Sequence, residues 1–470
     1  MVASIERTEA DSSLSHPAAI FNSSPALQRL LDKLDEPDFL ATPAEQIAQM
    51  QLEAAREVFA VQRSRVQVLK RRAEDMGIDQ IRTKADIVPL LLAHSVYKSY
   101  PASFIAKGQW ERLLKWYSTI TALPVDMVDL EGVADIDDFL ARLWDAGHKV
   151  FTSSGTSGKV SILARADADY EVYESVIKDN FCWPKTMPPE PMPYYQMTPR
   201  FGYYIIMCTS ERMIRRFGIP GTEKYLSEDR LRVASLMRSA EMRRKIGEGD
   251  ASPSEIAEHE AEAAAQQAKA IAEFDSIADE IIDNFDKPIM LSAQWGMLWR
   301  LVERARERGL PEGAMHPGSV IATGGGTKGL SLPSDYQEQT WKFLGPVHYV
   351  LNVYGMSEMS TCYPACEHGK YHIVPWIMPF ILDATGENIV DPVGEISEGR
   401  FAFLDLSYGS RWGGMISGDK VIMDHAETCS CGRPGPVILP QISRFTGPGE
   451  DDKIGCAGTI ETYIRGAIAE

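Results

Sequence analysis

The chain has 470 residues, 44% of them hydrophobic and 24% charged, which is typical of a globular protein large enough for more than one domain. Its formal net charge of −18 repels nucleic acid and anionic membrane surfaces, and no run of basic residues opposes that field. The first residues carry acids without an apolar core, and no stretch is apolar for long enough to span a bilayer, so we expect neither a secretory signal nor a membrane segment.

The N-terminal part of the chain is predicted to be mainly helical. An alanine-rich stretch with charges spaced among apolar residues begins at Pro43, and Thr42, Pro43 and Glu45 together form a helix start signal. Helices are expected to continue, with breaks, through Trp116. We therefore assign residues 1–120 to an N-terminal helical region.

The rest of the chain changes character twice. Residues 224–285 are dense in alanine, glutamate, arginine and glutamine, which predicts a solvent-facing helical insertion, with a lid or dimer surface as the alternative. After Lys287, short apolar runs alternate with helical segments, which predicts an α/β protein with mixed sheets.

We assign residues 121–420 to the main body. Residues 421–470 form a reduced C-terminal segment, and its last part, from about Phe445, is too short to form an independent domain.

A loop of glycines and hydroxyl side chains follows the apolar residue Phe151. Glycine lets the backbone approach a ligand closely, successive amides form a nest for anions, and the hydroxyls and a lysine add donors and a charge. It is not a Walker loop, because Ser153 stands where the first glycine belongs and Val160 follows the lysine. The loop predicts binding of the β- and γ-phosphates of ATP, and a flexible polar turn is the alternative. Its residues are Ser153, Ser154, Gly155, Thr156, Ser157, Gly158 and Lys159.

Two motifs follow predicted strands in the second half of the chain. Glycines at 324–326 follow an apolar run. Three glycines at the end of a strand favour close approach of the backbone to a flat ligand or a phosphate, and a tight turn is the alternative. Tyr354 offers a flat face to a purine, and Glu358 is a hard oxygen ligand suited to Mg²⁺ beside phosphates; the alternative is a turn with a surface glutamate. The candidate residues are Gly324, Gly325, Gly326, Tyr354, Gly355, Ser357 and Glu358.

An acid and an arginine complete the nucleotide-binding candidates. Asp419 follows a predicted strand in the sequence Ser-Gly-Asp, where a carboxylate can accept both hydroxyls of a ribose. Arg433 lies in a Cys-Gly-Arg segment, and a guanidinium can contact ribose or the α-phosphate. Each motif alone is weak, because an aspartate in a turn is common.

The order of these motifs along the chain resembles the adenylate-forming superfamily of acyl-CoA synthetases, adenylation domains and luciferases. In detail it is similar to the acyl-protein synthetases of bacterial luminescence operons and, more distantly, to phenylacetate–CoA ligases. The resemblance covers roughly Phe151 to Cys456, apart from 224–285. It implies a large adenylate-forming body of mixed sheets flanked by helices, with a helical insertion and a much reduced C-terminal subdomain.

The resemblance also implies a role for each motif. The implied contacts are Ser154, Thr156 and Lys159 with phosphates, Gly324, Gly325 and Gly326 with adenine and the acyl pocket, Tyr354 with adenine, Glu358 with Mg²⁺, Asp419 with ribose, and Arg433 with ribose or phosphate. One departure matters: about 50 residues follow Asp419 and the last lysine is Lys453, so the catalytic lysine of the superfamily's C-terminal domain has no clear counterpart.

Seven cysteines in a long chain without an export signal favour reduced thiols and a cytoplasmic location. Four soft ligands form a candidate Cys₃His zinc site, although the spacing is not that of a standard finger and reduced cysteines near turns are the alternative. The site would be structural, with His368 and Cys362 as reserve ligands. The four are Cys366, His372, Cys429 and Cys431.

Cys456 lies in a Gly-Cys dipeptide near the end of the sequence. In the family that the chain resembles, the cysteine of this dipeptide accepts the acyl group as a thioester. Lys453 is close enough in sequence to lower a thiol pKa if the two side chains face each other. The alternative is a small buried cysteine.

The sequence therefore predicts an enzyme that uses ATP and Mg²⁺ to activate a carboxylic acid as the acyl-AMP. The acyl group would pass to a thiol, which is Cys456, coenzyme A or the phosphopantetheine of a carrier protein. An amide-forming ligase and a non-catalytic nucleotide-binding protein are the alternatives. An aromatic or apolar acid is the expected substrate. An acyl-carrier or reductase protein is the expected partner, and a homodimer is expected by analogy only.

Overall fold

Helices make up most of the N-terminal region of the computed structural model, which describes residues 24–36, 38–153, 159–170, 190–324 and 331–445. The helix predicted from Thr42, Pro43 and Glu45 forms as the long helix α2, whose inner face is buried. The predicted cap is wrong, because Pro43 is the N-cap residue, Ala44 is the first helical residue and no side chain caps the helix. The helices are α1 (Pro25–Leu31), α2 (Ala44–Gln62), α3 (Gln67–Asp75), α4 (Ala102–Ala106), α5 (Trp110–Ile120) and α6 (Ile136–Asp145). Short 3₁₀ helices connect them at Asp32–Asp35, Phe39–Ala41, Lys84–Leu90 and His94–Lys98.

The first large sheet has six strands, in the order β5-β4-β6-β7-β8-β9. Neighbouring strands are parallel except for β9, which pairs antiparallel with β8. The strands are β4 (Tyr194–Gly202), β5 (Lys224–Leu231), β6 (Met290–Gln294), β7 (Val320–Gly324), β8 (Tyr349–Tyr354) and β9 (Tyr363–Pro364). Parallel strands are covered on both faces, which explains why β6 and β7 begin as continuous apolar runs.

Helices connect the parallel strands and cover the sheet. They are α7 (Ile205–Phe217), α8 (Val233–Glu248), α9 (Pro253–Asp283), α10 (Trp295–Glu307) and α11 (Tyr336–Leu344). The strand order reverses direction between β4 and β6, since β5 lies outside β4 while β6, β7 and β8 extend the other way. In open parallel sheets, ligands bind beyond the carboxyl ends of the strands near such a reversal.

The segment 224–285 is only partly helical, so the prediction is wrong for its first eight residues. Lys224–Leu231 form β5, a parallel edge strand beside β4. Its charged, largely exposed side chains resemble those of a surface helix, but pairing with β4 decides its conformation. Helices α8 and α9 then follow as expected, and Ser252 and Glu255 form a capping box at the start of α9.

A second, seven-stranded sheet contains β10 (Tyr371–His372), β14 (Val437–Ile438), β13 (Gly414–Asp424), β12 (Ile396–Asp405) and β11 (Ile377–Leu382), in that order. The short strands β1 (Leu92–Ala93) and β15 (Ser443–Arg444) also pair with β13. A separate hairpin, β2 (Phe151–Thr152) and β3 (Ile162–Leu163), encloses the predicted phosphate loop. The predicted α/β class with mixed sheets is confirmed.

One hydrophobic cluster joins the N-terminal helices to both sheets, with members from Ala26 to Ile438. Buried glutamines of α2 extend this contact: Gln51 donates to the carbonyl of Pro375 at 2.8 Å and Gln62 donates to that of Tyr408 at 3.0 Å. The boundaries proposed at residues 120 and 420 stay predictions. No helix in the described part of the chain combines the length and apolar character needed to cross a membrane.

Candidate active site

Strands β7 and β8 end side by side at the carboxyl edge of the six-stranded sheet. Gly324 lies opposite Val353 in register, and a Cβ on this glycine would come within 3.2 Å of the Val353 Cγ2. At Gly355 a Cβ would come within 2.5 Å of the Cys362 Sγ, so the turn after β8 requires glycine. Gly325 and Gly326 lie outside the described residues.

Tyr354, the last residue of β8, connects the two sheets. Its hydroxyl donates to the Asp419 Oδ2 at 2.8 Å, and its buried ring packs against Tyr363, Tyr371 and Phe401. Burial and the Asp419 charge hold the pKa of the Tyr354 phenol well above its ordinary value, so it stays a donor at neutral pH. The sequence predicted the residue but not its bond to Asp419.

Asp419, on β13, presents both carboxylate oxygens at this edge. Oδ2 accepts from Tyr354, and Oδ1 pairs with the Arg444 Nε at 2.9 Å. Arg444 lies on the short exposed strand β15, and no local motif marks it in the sequence. The structure thus brings Arg444 to Asp419, whereas it brings the predicted Arg433 to Asp38, at 3.0 Å.

Glu358 lies in the irregular segment 357–360 that follows β8. Burial and the charge of Asp419 raise the pKa of its carboxyl, and the charges of Arg411 and Lys98 oppose that shift. Charges of both signs therefore act on this carboxyl. Such a group can hold Mg²⁺, because a divalent cation restores the ionised form.

The hairpin β2–β3 brings both ends of the predicted phosphate loop to this region. Ser153 Oγ accepts from the Ser161 amide at 3.0 Å, and the Lys159 Nζ donates to the Tyr100 carbonyl at 2.8 Å. The Lys159 Nζ also lies 5.6 Å from the centre of the Tyr100 ring, so Tyr100 holds the lysine at the end of the loop. Ser154, Gly155, Thr156, Ser157 and Gly158 lie outside the described residues.

The four predicted soft ligands lie together. The ligand atoms of Cys366, His372, Cys429 and Cys431 are all within 4.8 Å of one another. The His372 Nε2 is 3.3 Å from the Cys431 Sγ. Burial lowers the pKa of His372 to about 4, so its imidazole is neutral, as a metal ligand must be. Neither His368 nor Cys362 is part of this group.

Two tight turns and one strand pair assemble this cluster. Gly369 donates to the Cys366 carbonyl and Gly432 donates to the Cys429 carbonyl, each at 2.8 Å. His372 lies on β10, opposite Val437 of β14. Three thiols and one imidazole, at this separation of their ligand atoms, suit a tetrahedral Zn²⁺ ion. An ion bound there would link two segments that are far apart in the sequence.

No family model matches the sequence, and no curated protein matches it. Two ATP-bound RpMatB-BxBclM chimeras, B3 and B1, are each similar to this chain at 14% identity and a TM-score of 0.35, over 61% of this chain and 46% of theirs. McyG A-PCP complexed with phenylalanyl-adenylate is similar at 11% identity and a TM-score of 0.34, over 62% of this chain and 46% of that one. The matched part thus spans under half of each structure, and these values assign the chain to no family.

Proposed function

We propose that the protein is an adenylate-forming enzyme that activates a carboxylic acid as the acyl-AMP and releases pyrophosphate. The observation that carries the proposal is the meeting of Tyr354, Asp419 and Arg444 at the carboxyl edge of a parallel sheet, with Glu358 on the turn that follows the strand of Tyr354. The order of the sequence motifs along the chain supports the same assignment. We also propose that the protein is cytoplasmic and that its cysteines are reduced thiols.

Each group has a chemical task in the proposed reaction. Asp419 accepts the ribose hydroxyls, and Tyr354 lies against the adenine or ribose beside it. Glu358 would hold Mg²⁺, whose charge would offset that of the phosphates, while Lys159 and the loop that precedes it bind the β- and γ-phosphates. A carboxylate oxygen of the acid attacks the α-phosphorus, and the bond to the pyrophosphate oxygen breaks. Positioning and neutralisation of phosphate charge supply the catalysis.

The acyl acceptor is proposed to be a thiol, on coenzyme A, on a carrier protein or at Cys456. Two alternatives remain: transfer to an amine, and a nucleotide-binding protein without turnover. Acid-dependent exchange of pyrophosphate into ATP, measured across a panel of aromatic and aliphatic acids, tests the proposal. Exchange with one class of acid is expected. Tight ATP binding without exchange for any acid would favour the non-catalytic alternative.

Replacement of Cys456 by alanine is expected to leave pyrophosphate exchange unchanged and to abolish a covalent acyl-enzyme. The reason is that adenylation needs no thiol, whereas thioester formation does. Intact-protein mass spectrometry after incubation with ATP and the acid measures the adduct. A Cys182→Ala variant is the matched control and should keep it. An adduct of the same mass in the Cys456 variant would assign the thioester to another residue.

A structural zinc ion is a separate proposal that rests on the Cys₃His cluster. Cys366 and His372 lie on the hairpin that follows β9, whereas Cys429 and Cys431 lie on the turn between β13 and β14. Thiolates with a neutral imidazole form a common closed zinc site. The ion would tie the edge of the first sheet to the second sheet.

A further inference from the structure

The segment 357–360, which carries Glu358, contains buried residues that belong to no helix or strand. It is neither helix nor strand, yet Met359 and Ser360 are buried, at 2% and 1% exposure. Buried carbonyl groups need hydrogen-bond donors, and a regular element would supply them from its own ladder. The carbonyls of the two buried residues must therefore find donors elsewhere in the chain, while those of the half-buried Ser357 and Glu358 also lie outside any regular element.

Two arginines supply these donors. Arg165 donates to the carbonyls of Ser357 at 3.1 Å and Ser360 at 3.4 Å, and also to that of Met359. Arg411 donates to the carbonyl of Glu358 itself. Both arginine side chains are completely buried. All four carbonyls of the segment are therefore bound by guanidinium groups.

The arginines are themselves fixed in place. Both guanidinium groups lie over the ring of Tyr408, at 5.3 Å for Arg165 and 3.9 Å for Arg411. Arg411 also donates to the Tyr97 hydroxyl at 3.1 Å. From the other side, the Asp405 Oδ2 accepts from the Ser360 amide at 2.6 Å. The segment is thus held on both sides by buried groups with defined geometry.

The two arginines come from the two other parts of the candidate site. Arg165 follows β3, on the hairpin that encloses the phosphate loop, and Arg411 precedes β13, the strand that carries Asp419. Each guanidinium therefore ties the Glu358 segment to a different nucleotide-binding element. A displacement of either element would be transmitted to the Glu358 backbone, because the guanidinium is planar and its donors have fixed directions.

We propose that Arg165 and Arg411 are positioning residues that hold the Glu358 carboxylate in place for Mg²⁺·ATP. The inference rests on the proposed function, because that function assigns Glu358 to Mg²⁺. Neither arginine needs to touch the nucleotide. Groups that orient a metal ligand from behind typically change metal affinity about 10- to 100-fold when they are replaced.

Single variants Arg165→Lys and Arg411→Lys test the inference, because lysine keeps the charge but loses the planar set of donors. Calorimetric titration with ATP at increasing Mg²⁺ gives the Mg²⁺ concentration at which ATP affinity is half-enhanced. That concentration is expected to rise about tenfold in each variant, while affinity for ATP without Mg²⁺ stays within about twofold. A purely structural role would lower stability without moving the Mg²⁺ midpoint.

Two reference variants make the outcome decisive. Arg72→Lys alters another buried arginine, which donates to the Pro89 carbonyl at 2.7 Å, and should leave the midpoint unchanged. Glu358→Gln should remove the Mg²⁺ enhancement. A wild-type midpoint in both folded arginine variants, beside a changed one in Glu358→Gln, overturns the inference and leaves the proposed function standing. If Glu358→Gln itself keeps normal Mg²⁺ dependence, the assignment of Glu358 fails and the inference fails with it.

An alternative variant serves if neither lysine variant folds. Asp405→Asn keeps the shape of the side chain but weakens its bond to the Ser360 amide, on the opposite side of the same segment. The Mg²⁺ midpoint is expected to rise in this variant too. An unchanged midpoint in folded Asp405→Asn overturns the idea that this segment is held in place for Mg²⁺.

Discussion

Replacement of Asp419 by alanine is expected to weaken ATP binding on the order of 100-fold, or about 3 kcal/mol, because hydrogen bonds to a charged group contribute about 1.5–3 kcal/mol each. The carboxylate joins Tyr354 of β8 to Arg444 of β15 at this edge. Calorimetry with ATP measures the loss. Unchanged affinity would remove Asp419 from the ribose site.

Deoxynucleotides separate the ribose role from general damage. In the wild type, 2′-deoxy-ATP and 3′-deoxy-ATP should bind more weakly than ATP, because each lacks one hydroxyl for Asp419. In Asp419→Ala this preference should disappear. Asp383→Ala is the matched control, since Asp383 accepts from Thr385 at 2.7 Å and from Asn388 at 2.8 Å in the turn after β11. It should keep both the affinity and the preference.

Loss of the zinc ligands is expected to give the largest effect on stability. Protein purified without added metal should contain about one zinc per chain, and Cys429→Ser or Cys431→Ser should contain almost none. Because metal binding to a site absent from the unfolded chain is folding free energy, we expect the free energy of unfolding to fall by more than about 3 kcal/mol. Metal analysis and denaturant unfolding of the same samples provide both values.

Cys208→Ser is the control for this experiment. Cys208 lies on α7, outside the cluster, and burial raises the pKa of its thiol to about 12. Its replacement should leave the zinc content at one per chain. Wild-type protein that is folded and free of metal would eliminate the zinc site, and it would leave the nucleotide-site prediction untouched.

The features predicted well from sequence are those set by local chemistry. Helix α2, the apolar runs of β6 and β7 and the soft ligands around Cys366 and Cys429 each carry their signal in a few neighbouring residues. Parallel strands and metal ligands depend on residue type at short spacing, so one sequence suffices to find them.

The features missed depend on contacts between distant segments. Lys224–Leu231 has the charge pattern of a helix and becomes a strand only because β4 is available for pairing. Arg444 and Arg165 reach Asp419 and the Glu358 segment from other parts of the chain, and an arginine in isolation resembles any surface cation. The predicted Arg433, next to two cysteines, reaches Asp38 instead.

The bond between α2 and the second sheet also bears on how the protein is made. Gln62 donates to the carbonyl of Arg411, which is 349 residues later in the chain. At about 5–20 residues per second, a ribosome needs roughly 20–70 s to synthesise the intervening residues. During that time the apolar face of α2 lacks its final neighbours. The nascent N-terminal helices therefore expose an apolar face to which chaperones can bind until the second sheet has been synthesised.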